Sequence, residues 1–298
     1  MALKTVRTAT LDIAYLETGP ADGIPAILLH GFPYDAHAYD AVTETLSASG
    51  YRCIVPWLRG YGPTRFLSAT TPRSGEQAAL GADLLALMDA LSINRAVLGG
   101  YDWGGRAACI VAALQPGRAI ALVSCGTGYN IQNIPQAGRP VAPEEEARYW
   151  YQYYFHSERG RAALTENRRD LCRFIWKSWS PLWTFDDATF AASAAAFDNP
   201  DFVEVVVHSY RHRFGLVAGD PAFAAIETAL EKQPSIGVPT VVLQGIDDGV
   251  DPPAEADEDA AHFTGPYERR RLAGIGHNLP QEAPEDFARA VLSLASFA

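Results

Sequence analysis

Short apolar runs alternate with helix-patterned stretches along this chain, and one long strand-free stretch interrupts the alternation. Residues 11–16, 24–30, 52–56, 95–99 and 120–125 read as strands, each a short apolar run bounded by Gly, Pro or charged residues. Between them, residues 77–91 set Leu80, Leu84, Leu85, Met88 and Leu91 on one helical face, and residues 104–114 are small and apolar enough for a buried helix. Strands apolar throughout and separated by helices require a mostly parallel sheet covered on both faces. From about 127 to 235 no strand-like run occurs, and the composition turns aromatic around Tyr149–Phe155 and Trp176–Phe185. Strand patterns return at 239–244 and 267–272, before an amphipathic stretch at 282–297. The expectation is an α/β fold in three parts: core 1–128, a helical cap 129–235, and core 236–298.

The 298 residues suffice for one large domain or a core with a sizeable insertion. Lys and Arg number 24 against 35 Asp and Glu, a formal net charge of −11. That argues against nucleic acid and anionic membranes, which need a basic face. The uncharged run 119–138 is broken by Gly, Asn, Gln and Pro and cannot span a bilayer, and residues 1–10 lack the apolar core of a signal peptide. The expected compartment is the cytoplasm. Cys53, Cys109, Cys125 and Cys172 include no C-x-x-C pair, so neither a zinc site nor a redox motif is expected; a homodimer stays open.

The chemistry concentrates in three loops. Leu98-Gly-Gly-Tyr-Asp-Trp-Gly-Gly-Arg106 runs from a strand into a helix. Glycines two before and two after Asp102 permit a sharp turn that presents the central side chain above the sheet. A carboxylate there needs no base to attack an electrophilic carbon. Downstream, Gln244-Gly-Ile-Asp-Asp-Gly-Val-Asp251 supplies Asp247, Asp248 and Asp251, and Gly274-Ile-Gly-His277 supplies a histidine before a helix. Asp248, three residues after Gly245, is the preferred partner to orient His277, whose other nitrogen would deprotonate water. Asp247 reads as a turn cap, and Asp251 stands at the rim. His30-Gly-Phe-Pro33 follows the second strand, and the Phe32 amide with the Trp103 amide would form an oxyanion hole. His30 reads as a structural prop of that loop at the pocket floor.

These motifs, in the order nucleophile, acid, histidine, resemble the α/β-hydrolase superfamily, and in particular its aspartate-nucleophile branch of epoxide hydrolases and dehalogenases. The resemblance covers nearly the whole chain. It implies an α/β-hydrolase fold and hydrolysis of a small apolar substrate through a covalent ester, without cofactor. Epoxide hydrolases hold the ring oxygen with two cap tyrosines; Tyr151-Gln-Tyr-Tyr-Phe155 points to Tyr151, with Tyr154 as fallback, and Ser209-Tyr-Arg211 points to Tyr210. The pocket is expected to take in His30, Phe32, Pro33, Trp103, Tyr154, His156, Trp179 and Trp183. The dehalogenase alternative uses the Trp103 indole for a halide. It lacks the Asn that haloalkane dehalogenases place where this chain has Phe32, and the Arg that fluoroacetate dehalogenases place where it has Trp103. Arg106 fits the latter group. A third alternative is a binding relative with little turnover.

Overall fold

The computed structural model describes residues 1–297. The first half alternates as the apolar runs require. It runs β1 (Ala2–Arg7), β2 (Leu11–Thr18), β3 (Ile24–Leu29), α1 (Asp40–Ala48), β4 (Tyr51–Pro56), β5 (Arg65–Phe66) and α2 (Gln77–Ala90), then β6 (Ala96–Gly100), α3 (Asp102–Leu114) and β7 (Ala119–Cys125). Seven helices follow: α4 (Pro143–Arg148), α5 (Trp150–His156), α6 (Glu158–Glu166), α7 (Arg168–Trp179), α8 (Asp187–Ala194), α9 (Phe202–His212) and α10 (Ala224–Leu230). The chain ends in β8 (Thr240–Gly245), β9 (Tyr267–Leu272), α11 (Leu279–Glu282) and α12 (Pro284–Ser293).

The strands form one sheet in the order β1-β2-β4-β3-β6-β7-β8-β9, with β5 paired to β2. From β4 through β9 every neighbour is parallel, while β1, β2 and β5 add an antiparallel edge. Every residue of β6, β7 and β8 is buried, as strands covered on both faces must be. Helices α2 and α3 pack together, as do α1 and α12, and both pairs flank the sheet. This is the α/β-hydrolase fold.

Three elements depart from the sequence reading. Strand β1 precedes the expected first strand; it is almost wholly exposed, so no apolar alternation marks it. Ion pairs tie it to β2, with Lys4 Nζ 2.5 Å from Glu17 Oε2 and Arg7 Nε 2.8 Å from Asp12 Oδ1. Helix α3 starts at Asp102, two residues earlier than expected. The final helix is split at Ala283, because Pro284 has no N–H and clashes with the preceding turn, so it opens α12 instead of continuing α11.

No strand lies between β7 and β8 among the described residues. Helices α4 to α10 bury most of their aromatic rings, Phe174 and Tyr153 being exposed, and polar contacts help to fasten them to the core. Trp176 Nε1 donates to the Pro33 carbonyl at 2.7 Å, and Asn199 Nδ2 donates to the Thr64 carbonyl at 2.7 Å. Arg73 Nε meets Asp201 Oδ1 at 2.8 Å, and the Gly75 amide donates to His208 Nδ1 at 3.1 Å. Among the described residues, no helix is long and apolar enough to cross a membrane. All four cysteines are free and buried.

Candidate active site

The loops leaving β3, β6 and β8 meet at the carboxyl ends of the parallel strands, where open α/β sheets collect their ligands. Asp102 turns the chain from β6 into α3 with φ at +50°, a left-handed conformation uncommon outside glycine. The turn closes only because its flanks lack side chains. A Cβ on Gly104 would run into the Leu29 carbonyl, and one on Gly100 would lie 2.5 Å from Gly104 backbone. That crowding holds Asp102 between β3 and β6.

The Phe32 amide donates to Asp102 Oδ1 at 2.7 Å. That fixes one carboxylate oxygen and leaves Oδ2 toward the cavity, 4.0 Å from Arg106 Nη2. His277 Nδ1 and Asp248 Oδ2 are 2.7 Å apart, and both side chains are buried. Asp248 is itself held: its Oδ1 accepts the Val250 and Asp251 amides, each at 2.9 Å. Burial works to lower the His277 pKa, but the Asp248 carboxylate, with Asp102 and Asp251 nearby, outweighs it and pushes the imidazole up to about 9. His277 Nε2 is buried and has no hydrogen-bond partner in the protein.

The sequence reading missed what orients this histidine. Ser180 Oγ, at the end of α7, accepts the His277 amide at 3.1 Å and donates to Glu282 Oε1 at 2.6 Å. Glu282 also accepts the Gly276 and Asn278 amides at 2.7 and 2.9 Å. Only the spacing of Glu282, five residues past His277, hinted at a loop clamp.

Of the other acids in the β8 turn, Asp247 Oδ2 accepts the Gly274 amide at 2.8 Å and serves as a turn brace. Asp251 lines the cavity, and burial, then Asp248, pushes its pKa up to about 7.

A cavity of about 470 Å³ opens onto Asp102 and His277. Tyr151 lines it, accepting a hydrogen bond from Gln152 Nε2 at 3.1 Å. Tyr210 is buried behind it, with ring centroids 5.4 Å from Tyr151 and 5.4 Å from Phe32. Burial holds both phenols well above the usual tyrosine range, so both stay protonated. Trp103 is fully buried against Phe32 and Tyr210, and its indole N–H has no partner in the protein.

Several expected pocket residues sit elsewhere. His30 is fully buried and accepts the Leu58 amide through Nε2 at 3.1 Å; burial pushes its pKa down to about 4, so it is a neutral prop. Pro33 spends its carbonyl on Trp176. His156 faces Phe214 and the Tyr210 carbonyl, and Tyr154 leans on Trp150. Trp183 stacks on Trp176 and lines a different cavity beside His37. Trp179 packs its ring 4.8 Å from that of His277, and its carbonyl accepts the Gly249 amide at 2.9 Å. The aromatic residues thus pack the seam, while the cavity itself carries Arg106, Arg139, Arg213 and Asp251. The slot is more polar than the aromatic composition suggested, because large rings bury themselves first.

Residues 25–284 match the family described as the alpha/beta hydrolase fold. A solved Klebsiella pneumoniae protein, provisionally named an epoxide hydrolase, is 47% identical with a TM-score of 0.95, covering 99% of this chain and 97% of that one. Epoxide hydrolase 3 of Siraitia grosvenorii is 36% identical over 133 residues, 45% of this chain and 38% of that protein. A haloalkane dehalogenase of Mycobacterium marinum is 35% identical over 126 residues, 41% of this chain and 40% of that protein. The chain therefore spans well under half the length of these two curated relatives.

Proposed function

The chain belongs to the α/β-hydrolase fold family and is a hydrolase, and we propose that it opens epoxides to vicinal diols through an ester on Asp102. One observation carries the epoxide assignment. Two buried, protonated tyrosines, Tyr151 and Tyr210, stand together beside the Asp102 loop. Because Gln152 donates to the Tyr151 oxygen, the phenol's own proton is free for a substrate oxygen.

The steps follow from the atoms in place. Asp102 Oδ2 attacks a ring carbon. The carbon–oxygen bond breaks toward the ring oxygen, which takes hydrogen bonds or a proton from the two phenols. Esterification removes the Asp102 charge, one of those that raise the His277 pKa, so the imidazole gives up its proton more readily, restoring a phenol that has lost its own, and stands neutral as the base when water enters. His277 Nε2 then takes a proton from water, whose oxygen attacks Asp102 Cγ. The charge developing on Oδ1 is met by the Phe32 amide already bonded to it, with the Trp103 amide as the second donor. As the intermediate collapses, one proton of the former water goes to the departing diol oxygen and the other stays on His277, which frees the diol and restores the carboxylate. Helices α4 to α10 act as a cap that closes the site from water, as the residues they contribute imply.

A dehalogenase reading draws on one observation: the unpartnered indole N–H of Trp103, a donor for a leaving halide. Phe32 offers no second side-chain donor. Purified protein tested on epoxides, haloalkanes and haloacetates separates the two, with Asp102→Ala as control. Diol without halide supports the epoxide assignment, and halide without diol overturns it.

A further inference from the structure

We propose that Arg106 of α3 and Arg213, just past α9, form a binding site for a substrate carboxylate, so that the epoxide carries a carboxylate on or next to its ring. This deepens the epoxide assignment and rests on it for the reaction, though not for the binding.

Both arginines line the cavity that holds Asp102 and His277. Arg213 is 6% exposed, yet its guanidinium makes only two long bonds, to the Ser209 carbonyl at 3.4 Å and to Ser209 Oγ at 3.3 Å. It lies 4.2 Å from the centroid of the Tyr210 ring. Arg106 is poorer still. Its Nε and Nη1 are buried without a partner, and its one ionic contact is Asp102 at 4.0 Å. Buried guanidinium groups are normally paired, because they do not give up their proton and their desolvation must be offset. Burial, and then Arg106, pushes the Arg213 pKa down to about 10, which leaves it charged at neutral pH.

Glu145 and Glu146 of α4 also line the cavity but form no ion pair with either arginine, Glu146 being held by the Tyr153 hydroxyl and the Val141 amide, and the remaining acids facing the pair are engaged. Asp102 accepts the Phe32 amide, and Asp248 is bound to His277. Asp251, with its pKa near 7, is only partly ionised at neutral pH. Two cations against so little free negative charge form a site for an anion, and planar guanidinium favours carboxylate.

The geometry limits where that carboxylate sits. Arg106 Nη2 and Asp102 Oδ2 are 4.0 Å apart. A charge-assisted bond of ~2.8 Å to the first and an attack distance of ~3.3 Å from the second leave room for a carboxylate one or two bonds from the reacting carbon. The compounds that fit such an arrangement are 2,3-epoxy carboxylates, with the ring oxygen turned toward Tyr151 and Tyr210.

Two measurements test it. The first compares kcat/KM for trans-3-phenylglycidate and its amide, a neutral isostere. The acid is expected to be favoured by roughly 10- to 100-fold, with the ratio falling toward one in Arg213→Met and Arg106→Met. The second is calorimetric titration of the wild type with cinnamate and cinnamamide, which share the skeleton but lack the ring oxygen. Tighter binding of cinnamate supports the anion site even if no epoxide is turned over, an outcome that would sink the epoxide assignment alone. Diol from the amide at the same efficiency as from the acid, or equal binding of cinnamate and cinnamamide, overturns the carboxylate site and leaves the epoxide chemistry standing.

Discussion

Replacing Asp248 with Asn should stop the second half-reaction while sparing the first. The substitution keeps shape and volume, and an Asn oxygen can still accept the Val250 and Asp251 amides that Asp248 Oδ1 accepts at 2.9 Å. That orientation turns the Asn NH₂ toward His277 Nδ1, which now must accept a hydrogen bond. The imidazole proton moves to Nε2, the atom required as base, so the wrong tautomer is locked in. The charge effect adds to this. Burial alone lowers the His277 pKa, and Asp248 is the main group that lifts it to about 9. Without that carboxylate the imidazole should titrate near its ordinary 6.5 or lower, a loss of ~3 kcal/mol of imidazolium stabilisation. Ester hydrolysis should fall by about 10³- to 10⁴-fold, the scale expected for tautomer disruption in an acid–histidine pair. The assay is a single-turnover experiment with a reactive epoxide, in which intact-protein mass spectrometry should show the ester accumulating on Asp248→Asn. An NMR titration of His277 should show the lowered pKa. Hydrolysis within tenfold of wild type, or a His277 that still titrates near 9, would refute the assignment of Asp248 and return Asp251 as the acid.

The tyrosine pair makes a separate prediction. Tyr151→Phe and Tyr210→Phe should each slow ester formation, with the double variant losing ~10²- to 10⁴-fold in ring opening while hydrolysis of a preformed ester is unchanged. Stopped-flow quenching of tryptophan fluorescence during alkylation would read this. The His277–Asp248 pair also predicts a pH dependence of stability. The folded pKa, about 9, lies above the unfolded 6.5, so the pair's contribution is full below pH 6.5 and is lost as pH rises through 9. Thermal melts should therefore show the advantage of wild type over His277→Gln shrinking across that window; a constant difference would contradict the raised pKa. Finally, Ser180→Ala removes one hydrogen bond from the His277 amide and one from Glu282 in a buried loop, leaving the longer bond to the Trp179 carbonyl and the Asn278 amide, and should lower stability by about 1 kcal/mol with a larger loss in kcat than in KM.

The sheet was legible where burial is two-sided. The apolar runs that became β3, β4, β6, β7 and β8 fell within a residue or two of their observed bounds. β1 was not, because an exposed edge strand has no reason to be apolar. The Asp102 turn, the Phe32 loop and the histidine loop could be read because each imposes a local backbone demand that glycine or sequence order records. The helical segment was harder. Tyr151, its fallback Tyr154 and Tyr210 were named by their resemblance to a motif, whereas His156 and Trp183 were placed in the pocket by composition; Tyr154, His156 and Trp183 pack elsewhere. Which face of a cap helix meets the core depends on how the helices dock, and aromatic content does not encode that. Arg213 escaped notice for the same reason: nothing local marks an arginine that is buried only after α9 settles against α3 and α5.

The covalent role of Asp102 is tested most directly by a single turnover in ¹⁸O water with enzyme in excess over the epoxide. If Asp102 forms the ester and water attacks its Cγ, the first diol carries no heavy oxygen and the label appears in the peptide containing Asp102. Label in the first diol, with an unlabelled Asp102 peptide, would mean that water opens the ring directly, and the ester mechanism would fall.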